Sequence, residues 1–434
     1  MSKKILHLVI KNTSSLDFVL PLFWKLRKEH PDYSLSILYC VFNKKSILRG
    51  SSYYSETFSS INVQEYDFSY FTKRWFYWLS FIFKKLLSSP RADKLSFLEI
   101  KKKLYKLDLC AIRDLFSLIF EKILYVWVNA IVDFERIMLF FSPDIILLDN
   151  RSRTKFPGKD EMFNYMYTEQ KRVVLIPHAP HYRDPVSEFC PFDEDGESFP
   201  DFCEHWMPMK FGTPWKSLGW NMPNKRFIYS GYPGFDKEWL NFCMRAKLDK
   251  NEKHKVLFVI RRFLDKDVKR EKNTDYYILD FDEFYSNLIL LKEAIIKQTS
   301  QIDVIIKPHP SNNYKKLRRV LKDVGLVNAQ ISYEPIYALL PIIDVVVSLP
   351  STISLIPAMA GIPTLVLNTP LQQKIHNKWK ILEELYSSMC YFIDNPNHEL
   401  SSVLNQCLEK KCDCKDDRFL RNYFKEFSLK SLNL

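Results

Sequence analysis

The chain has 434 residues, 47% hydrophobic and 26% charged, the profile of a folded protein of two or three domains, which excludes disordered chains and mini-protein scaffolds. With only 9 glycines it contains neither Gly-x-Gly-x-x-Gly nor Gly-x-x-x-x-Gly-Lys-Ser/Thr, so a dinucleotide fingerprint and a P-loop are both excluded. Lys and Arg number 63 against 51 Asp and Glu, a net charge of +12 that calls for an anionic partner.

The start reads as a βαβ unit. Ile5 to Ile10 is an apolar run, Asn12 to Ser15 are turn formers, Leu16 to Lys28 has helical spacing, and Tyr33 to Tyr39 is apolar again. From about 66 to 141 the character changes to aromatic helical stretches broken by charges. Strand logic resumes at Pro143–Leu148, ending at Asp149, at Val173–Ile176, ending at Pro177-His178, and at Phe227–Ser230, followed by the turn Gly231-Tyr-Pro-Gly-Phe-Asp236. A helix near 236–247 leads into the polar stretch Asp249–Lys255, which reads as a linker. A second α/β block follows, with strands at Val256–Ile260, Val304–Ile306, Asp344–Ser348 and Ile362–Leu367. Helices are expected at 280–299, Tyr314–Val324 and Leu355–Met359. The pattern predicts two Rossmann-like, doubly wound domains, residues 1–248 and 249–434, facing a central cleft.

The nine cysteines are odd in number and scattered, and the N-terminus shows neither a long apolar core nor a small-residue cleavage site. Both point to a reducing cytosol and no signal peptide. Cys412-x-Cys414 lacks a second ligand pair nearby, and no run of 18 apolar residues predicts a transmembrane helix.

Much of the charge is local. Between Lys73 and Lys103 nine basic residues stand against Asp93 and Glu99, so this segment carries 9 − 2 = +7 of the chain's +12. Trp75, Phe76, Tyr77, Trp78, Phe81 and Phe83 are interleaved with the basic residues. Cations beside a Trp/Phe-rich face suit an anionic membrane surface. The plainer reading is an aromatic core with a solvated lysine face. No nucleic-acid motif accompanies the segment, so nucleic acid is not expected as a partner.

The chemistry concentrates in the second block. Lys307-Pro-His309-Pro310 ends one strand and Ser351-Thr352-Ile-Ser354 ends another. In a parallel sheet both lie at the carboxyl edge, where ligands bind. Hydroxyls and orphan N–H groups at a helix start form an anion site, which a lysine and a histidine from the neighbouring strand end would complete. Each hydroxyl alone is equally a plain N-cap, and His309 alone a loop residue between prolines; at sister strand ends the set favours a phosphate. Arg261 and Arg262 leave the block's first strand at the same edge and are candidate phosphate ligands. Glu334 is a candidate acceptor for ribose hydroxyls.

This ordered set resembles GT-B-fold glycosyltransferases of bacterial surface polysaccharides that use cytidine-activated donors: sialyl- and polysialyltransferases, the Kdo transferases of capsule and lipopolysaccharide, and, more distantly, CDP-glycerol glycerophosphotransferases. The likeness rests on His309-Pro310, Ser351-Thr352, Pro357-Ala-Met-Ala-Gly361-Ile-Pro363 and Gly231-x-Pro-x-x-Asp236, and covers roughly residues 225–370. It implies a GT-B-like fold and an inverting transferase that moves an acidic sugar, Kdo or a sialic-type nonulosonate, from a CMP-sugar to a growing glycan. The donor phosphates would be held without a metal, and the enzyme would work in the cytoplasm at the inner face of the membrane. A CDP-glycerol or ribitol phosphotransferase, a UDP-sugar transferase or 2-epimerase of the same architecture, and a non-catalytic polysaccharide-assembly scaffold remain alternatives.

The first domain would then supply a general base. Asp149 ends a buried strand, and His178 and His181 lie in a turn placed like the glycerophosphotransferase His-Gly motif, with Ala179 in place of the glycine. Glu194-Asp195-Gly196 has the letters of a sialyltransferase acidic motif but follows no obvious strand, and Asp193-Glu-Asp195 reads as an acidic loop. A zinc site from His178, His181 and His205 lacks tight spacing.

Overall fold

The computed structural model describes residues 2–10, 13, 15–41, 44, 48, 51–71, 133–149, 159–177, 200, 202–207, 226–245, 253–264, 279–298, 301–309, 312–349, 351–368, 390–409 and 426–433. Its strands form two sheets. The first contains β1 (Lys4–Val9), β2 (Ser34–Tyr39), β3 (Gln64–Asp67), β4 (Ile145–Asp149), β5 (Arg172–Ile176), β6 (Glu204–Met207) and β7 (Arg226–Tyr229), in the order β3-β2-β1-β4-β5-β6-β7. The second contains β8 (His254–Val259), β9 (Ile302–Lys307), β10 (Gln330–Ile331), β11 (Val345–Ser348), β12 (Thr364–Leu367) and β13 (Tyr391–Ile393), in the order β10-β9-β8-β11-β12-β13. Every pairing between these strands is parallel. The strand order reverses between β1 and β4 and again between β8 and β11, giving each sheet a switch point at which a crevice opens beyond the carboxyl ends. This is the doubly wound, GT-B-like α/β architecture expected.

Strand alternation explains how the sheets pack. Ile5 and Val9 of β1, Ile145 and Leu147 of β4, Leu257 and Val259 of β8, and Ile305 of β9 all enter one continuous core shared by the two sheets. The odd-even partners Leu6, Leu8, Ile146 and Leu148 enter a core of the first sheet alone. Val256, Phe258, Val304 and Ile306 enter a core of the second. Each sheet is therefore apolar on both faces, as parallel sheets are.

The turn after β7 forms the junction. Asp236 caps the helix Lys237–Met244 by accepting from the amides of Glu238 and Trp239 at 3.0 and 3.1 Å, and it pairs with Lys25 of the helix Leu16–Glu29. Gly234 has the close approach that only a glycine allows: a Cβ there would meet the Tyr337 hydroxyl inside contact distance and stand 2.5 Å from Cε1 of Tyr232. The C-terminal stretch returns to the first sheet. Phe427, Leu429 and Leu432 are buried in the shared core, and Arg172 holds the carbonyls of Leu432 and Asn433 at 2.9 and 3.2 Å.

Several elements differ from the sequence reading. The region 66–141 opens inside an edge strand, β3, and closes with the helix Phe134–Phe141; residues 72–132, and with them the basic segment 73–103, lie outside the described residues. His254 and Lys255 belong to β8 and not to a linker. The helix expected from Leu355 begins at Thr352, because first-turn amides need no intrahelical partner and Ser and Thr are tolerated there. No helix among the described residues is long and apolar enough to cross a membrane.

Candidate functional site

The second sheet brings most of the predicted ligands to one edge. Arg261 and Arg262 follow β8, Lys307 ends β9 with His309 two residues on, Glu334 follows β10, and Ser351 follows β11. Pro310 lies outside the described residues, as do the side chain of Thr352 and the first-domain candidates His178 and His181.

Asn312, which the sequence reading did not single out, joins these strand-end loops. Its side-chain amide donates to the Arg261 carbonyl at 2.9 Å, its Oδ1 accepts from the Phe263 amide at 3.4 Å, and its own amide donates to the His309 carbonyl at 2.9 Å. His309 is left exposed beside it. The carbonyl of Arg262 is engaged in a bridge with the Leu279 amide at 2.9 Å.

Ser351 is the N-cap of the helix Thr352–Met359, with extended backbone (φ −151°, ψ 140°) and no side-chain cap bond. Within the first turn beyond it the Ser354 amide donates to the Ser351 carbonyl at 3.0 Å, and a helix start at a strand's carboxyl end is the kind of place that binds anions. Ser354 is buried and its hydroxyl donates to the Ser351 carbonyl, so its hydrogen is committed within the turn.

Lys307 sits differently from an edge ligand. As the partner of Ile305 in alternation it faces the shared core, and it is only 8% exposed. Its ammonium donates to the Glu334 carbonyl. Burial pulls its pKa down to about 8, against the opposing pull of the Asp17 and Glu334 carboxylates. Glu334 in turn accepts from the Ser51 hydroxyl of the first domain at 2.5 Å. Asp17, in the first turn of the helix Leu16–Glu29, accepts from Tyr54 at 2.6 Å, and its carbonyl accepts from Tyr337 of the second domain at 3.0 Å. Burial raises the phenols of Tyr54, Tyr232 and Tyr337 far above their usual range, with the Asp17 charge adding to the rise, so they stay neutral donors.

At the first sheet's switch point, Asp149 ends β4, 7% exposed, on the face that also carries His7 of β1. His7 is fully buried. Its Nδ1 lies 3.0 Å from the Leu147 carbonyl, which can only accept, so Nδ1 carries the hydrogen. Nε2 is then the acceptor for the Ser15 hydroxyl at 3.0 Å. Burial lowers the His7 pKa to about 4, more than the Leu147 bond and the Asp149 charge raise it. The one signal for His7 in the sequence is a histidine centred in the apolar run Ile5–Ile10. Among the described residues no group of three or more His, Cys, Asp or Glu is placed to hold a metal ion.

No protein-family model matches the sequence, and comparison with curated proteins finds no match. Solved structures do match. The S. aureus MnaA–UDP co-structure is 12% identical, with 98% of this chain and 93% of that chain covered at a TM-score of 0.51. A UDP-N-acetylglucosamine 2-epimerase is 10% identical, with 99% and 92% covered at a TM-score of 0.51. At such identities the likeness establishes the fold: two doubly wound sheets in the GT-B arrangement.

Proposed function

We propose that this chain is a nucleotide-sugar enzyme that seats a uridine nucleotide on the second domain and works on the attached sugar between the two sheets, as a UDP-sugar transferase or 2-epimerase. The observation that carries it is the convergence of Arg261, His309, Glu334 and the Ser351 helix start at the carboxyl ends of β8, β9, β10 and β11. The arginine, the histidine and the helix amides would stabilise the charge that develops on a departing diphosphate, a task that does not by itself require a metal. A carboxylate has about four acceptor sites, so Glu334 can take a ribose hydroxyl while still bonded to Ser51. In a transfer, the acceptor oxygen bonds to the anomeric carbon, the bond to the nucleotide phosphate breaks, and Asp149 receives the acceptor proton. The choice of uridine is supported by the folds that match, one of them solved with UDP.

The ordered motifs support a second reading, in which a CMP-linked acidic sugar is transferred to a surface glycan at an anionic membrane bound through residues 73–103. A thermal-shift screen of UMP, UDP, CMP and CDP tests both. A nucleotide at 100 times its Kd adds about 2.7 kcal/mol of stability. Stabilisation by uridine nucleotides supports the first reading, stabilisation by cytidine nucleotides alone supports the second, and no shift with any of the four refutes both.

A further inference from the structure

Lys307 is a candidate whose side chain turns into the core shared by the two sheets. It is surrounded by groups from both domains: the Glu334 carbonyl accepts from its ammonium, the Asp17 and Glu334 carboxylates offset its charge, and Ser51 and Tyr54 hold those carboxylates from the first domain. Tyr337 adds a further crossing bond to the Asp17 carbonyl. An ammonium so placed has one of its three donors directed into the Glu334 turn and its charge balanced by carboxylates, the opposite of what a diphosphate ligand needs. The Lys307 bond holds the Glu334 backbone, and the Ser51 bond holds its carboxylate.

We propose that Lys307 is a positioning residue that acts through Glu334 and ties the nucleoside side of the site to the first domain, leaving the phosphates to other groups. The proposal rests on the nucleotide-binding reading above.

Calorimetric titration with uridine and with UDP separates the roles, because only UDP has phosphates. Lys307→Met should weaken both ligands by about tenfold and leave their affinity ratio unchanged. In a Glu334→Ala background it should cost no further affinity, since residues acting as one unit are not additive. Ser51→Ala, which cuts the same tie from the first domain without touching the lysine, should weaken both ligands about equally, and this variant decides the matter should Lys307→Met fail to fold. A selective loss of UDP over uridine in Lys307→Met makes Lys307 a phosphate ligand and overturns the proposal. So do additive losses with Glu334→Ala, or unchanged binding in Ser51→Ala. Failure of the wild type to bind either ligand defeats the nucleotide reading itself, a result distinct from any of these.

Discussion

His7 makes the acid stability of the first domain a one-residue measurement. Its imidazole is fully buried, neutral, and bonded on both nitrogens, so the folded protein holds it uncharged down to a pKa of about 4. In the unfolded chain it titrates at its ordinary value, 6.5. Between those values the unfolded state binds the extra proton. The contribution of His7 is therefore fully present above pH 6.5, declines as the pH falls, and is lost by about pH 4. A depression from 6.5 to about 4 corresponds to about 3 kcal/mol of stability, or roughly 1.4 kcal/mol for each pH step within the window. His7→Asn keeps a donor for the Leu147 carbonyl but cannot ionise and cannot accept from Ser15. Urea denaturation of both proteins at pH 7, 6, 5 and 4.5 should show the wild type more stable at neutral pH and the gap closing as the pH falls. Carboxylates titrate equally in both and cancel in the difference. A gap that stays constant across this range would falsify the assignment of the titration to His7.

Lys307 gives a case of the same sign at alkaline pH. Its pKa is lowered from 10.5 to about 8 by burial, so the unfolded state binds more protons between these values and stability should rise as the pH climbs through that window, a rise that Lys307→Met removes in the same denaturation assay. Gly234→Ala forces a methyl against the Tyr337 hydroxyl and the Tyr232 ring and should destabilise by about 1–3 kcal/mol, read as a lowered Tm; relief by a second change, Tyr337→Phe, locates the clash at the domain junction. Arg172 pairs with the nearly inaccessible Glu204 through Nε at 3.2 Å and Nη2 at 2.7 Å while also holding the C-terminal carbonyls. Removing it by Arg172→Met should cost about 3 kcal/mol and increase proteolysis of the C-terminal residues. His309→Ala should abolish stabilisation by the nucleotide found in the thermal-shift screen while leaving the ligand-free Tm unchanged, and retained stabilisation would exclude a phosphate role for this residue.

The strands that set the switch points were legible because they are buried on both faces: Ile5–Ile10, Pro143–Leu148, Val256–Ile260 and Asp344–Ser348 are predominantly apolar runs, and β1, β4, β8 and β11 overlap them. Two polar strands were not. β3, at the sheet edge, reads Gln-Glu-Tyr-Asp, and β6, between β5 and β7, begins with Glu204; their strand conformation comes from pairing with neighbours and, for Glu204, from the partner Arg172. The placement of the candidate residues at the carboxyl edge was legible for the same reason as the strands, since a residue just past an apolar run must emerge at that end. Which way it then points depends on alternation within the strand and on what lies beyond that face. Ile305 and Lys307 share a face, but only the second sheet's partner, the first domain with Asp17, Ser51 and Tyr54, turns that face into an interior. His309, one alternation further and past the end of the strand, reaches solvent. The motif Lys307-Pro-His309 thus divides at the edge of one sheet between a buried cation that faces the other domain and, two residues on, an exposed imidazole past the strand end.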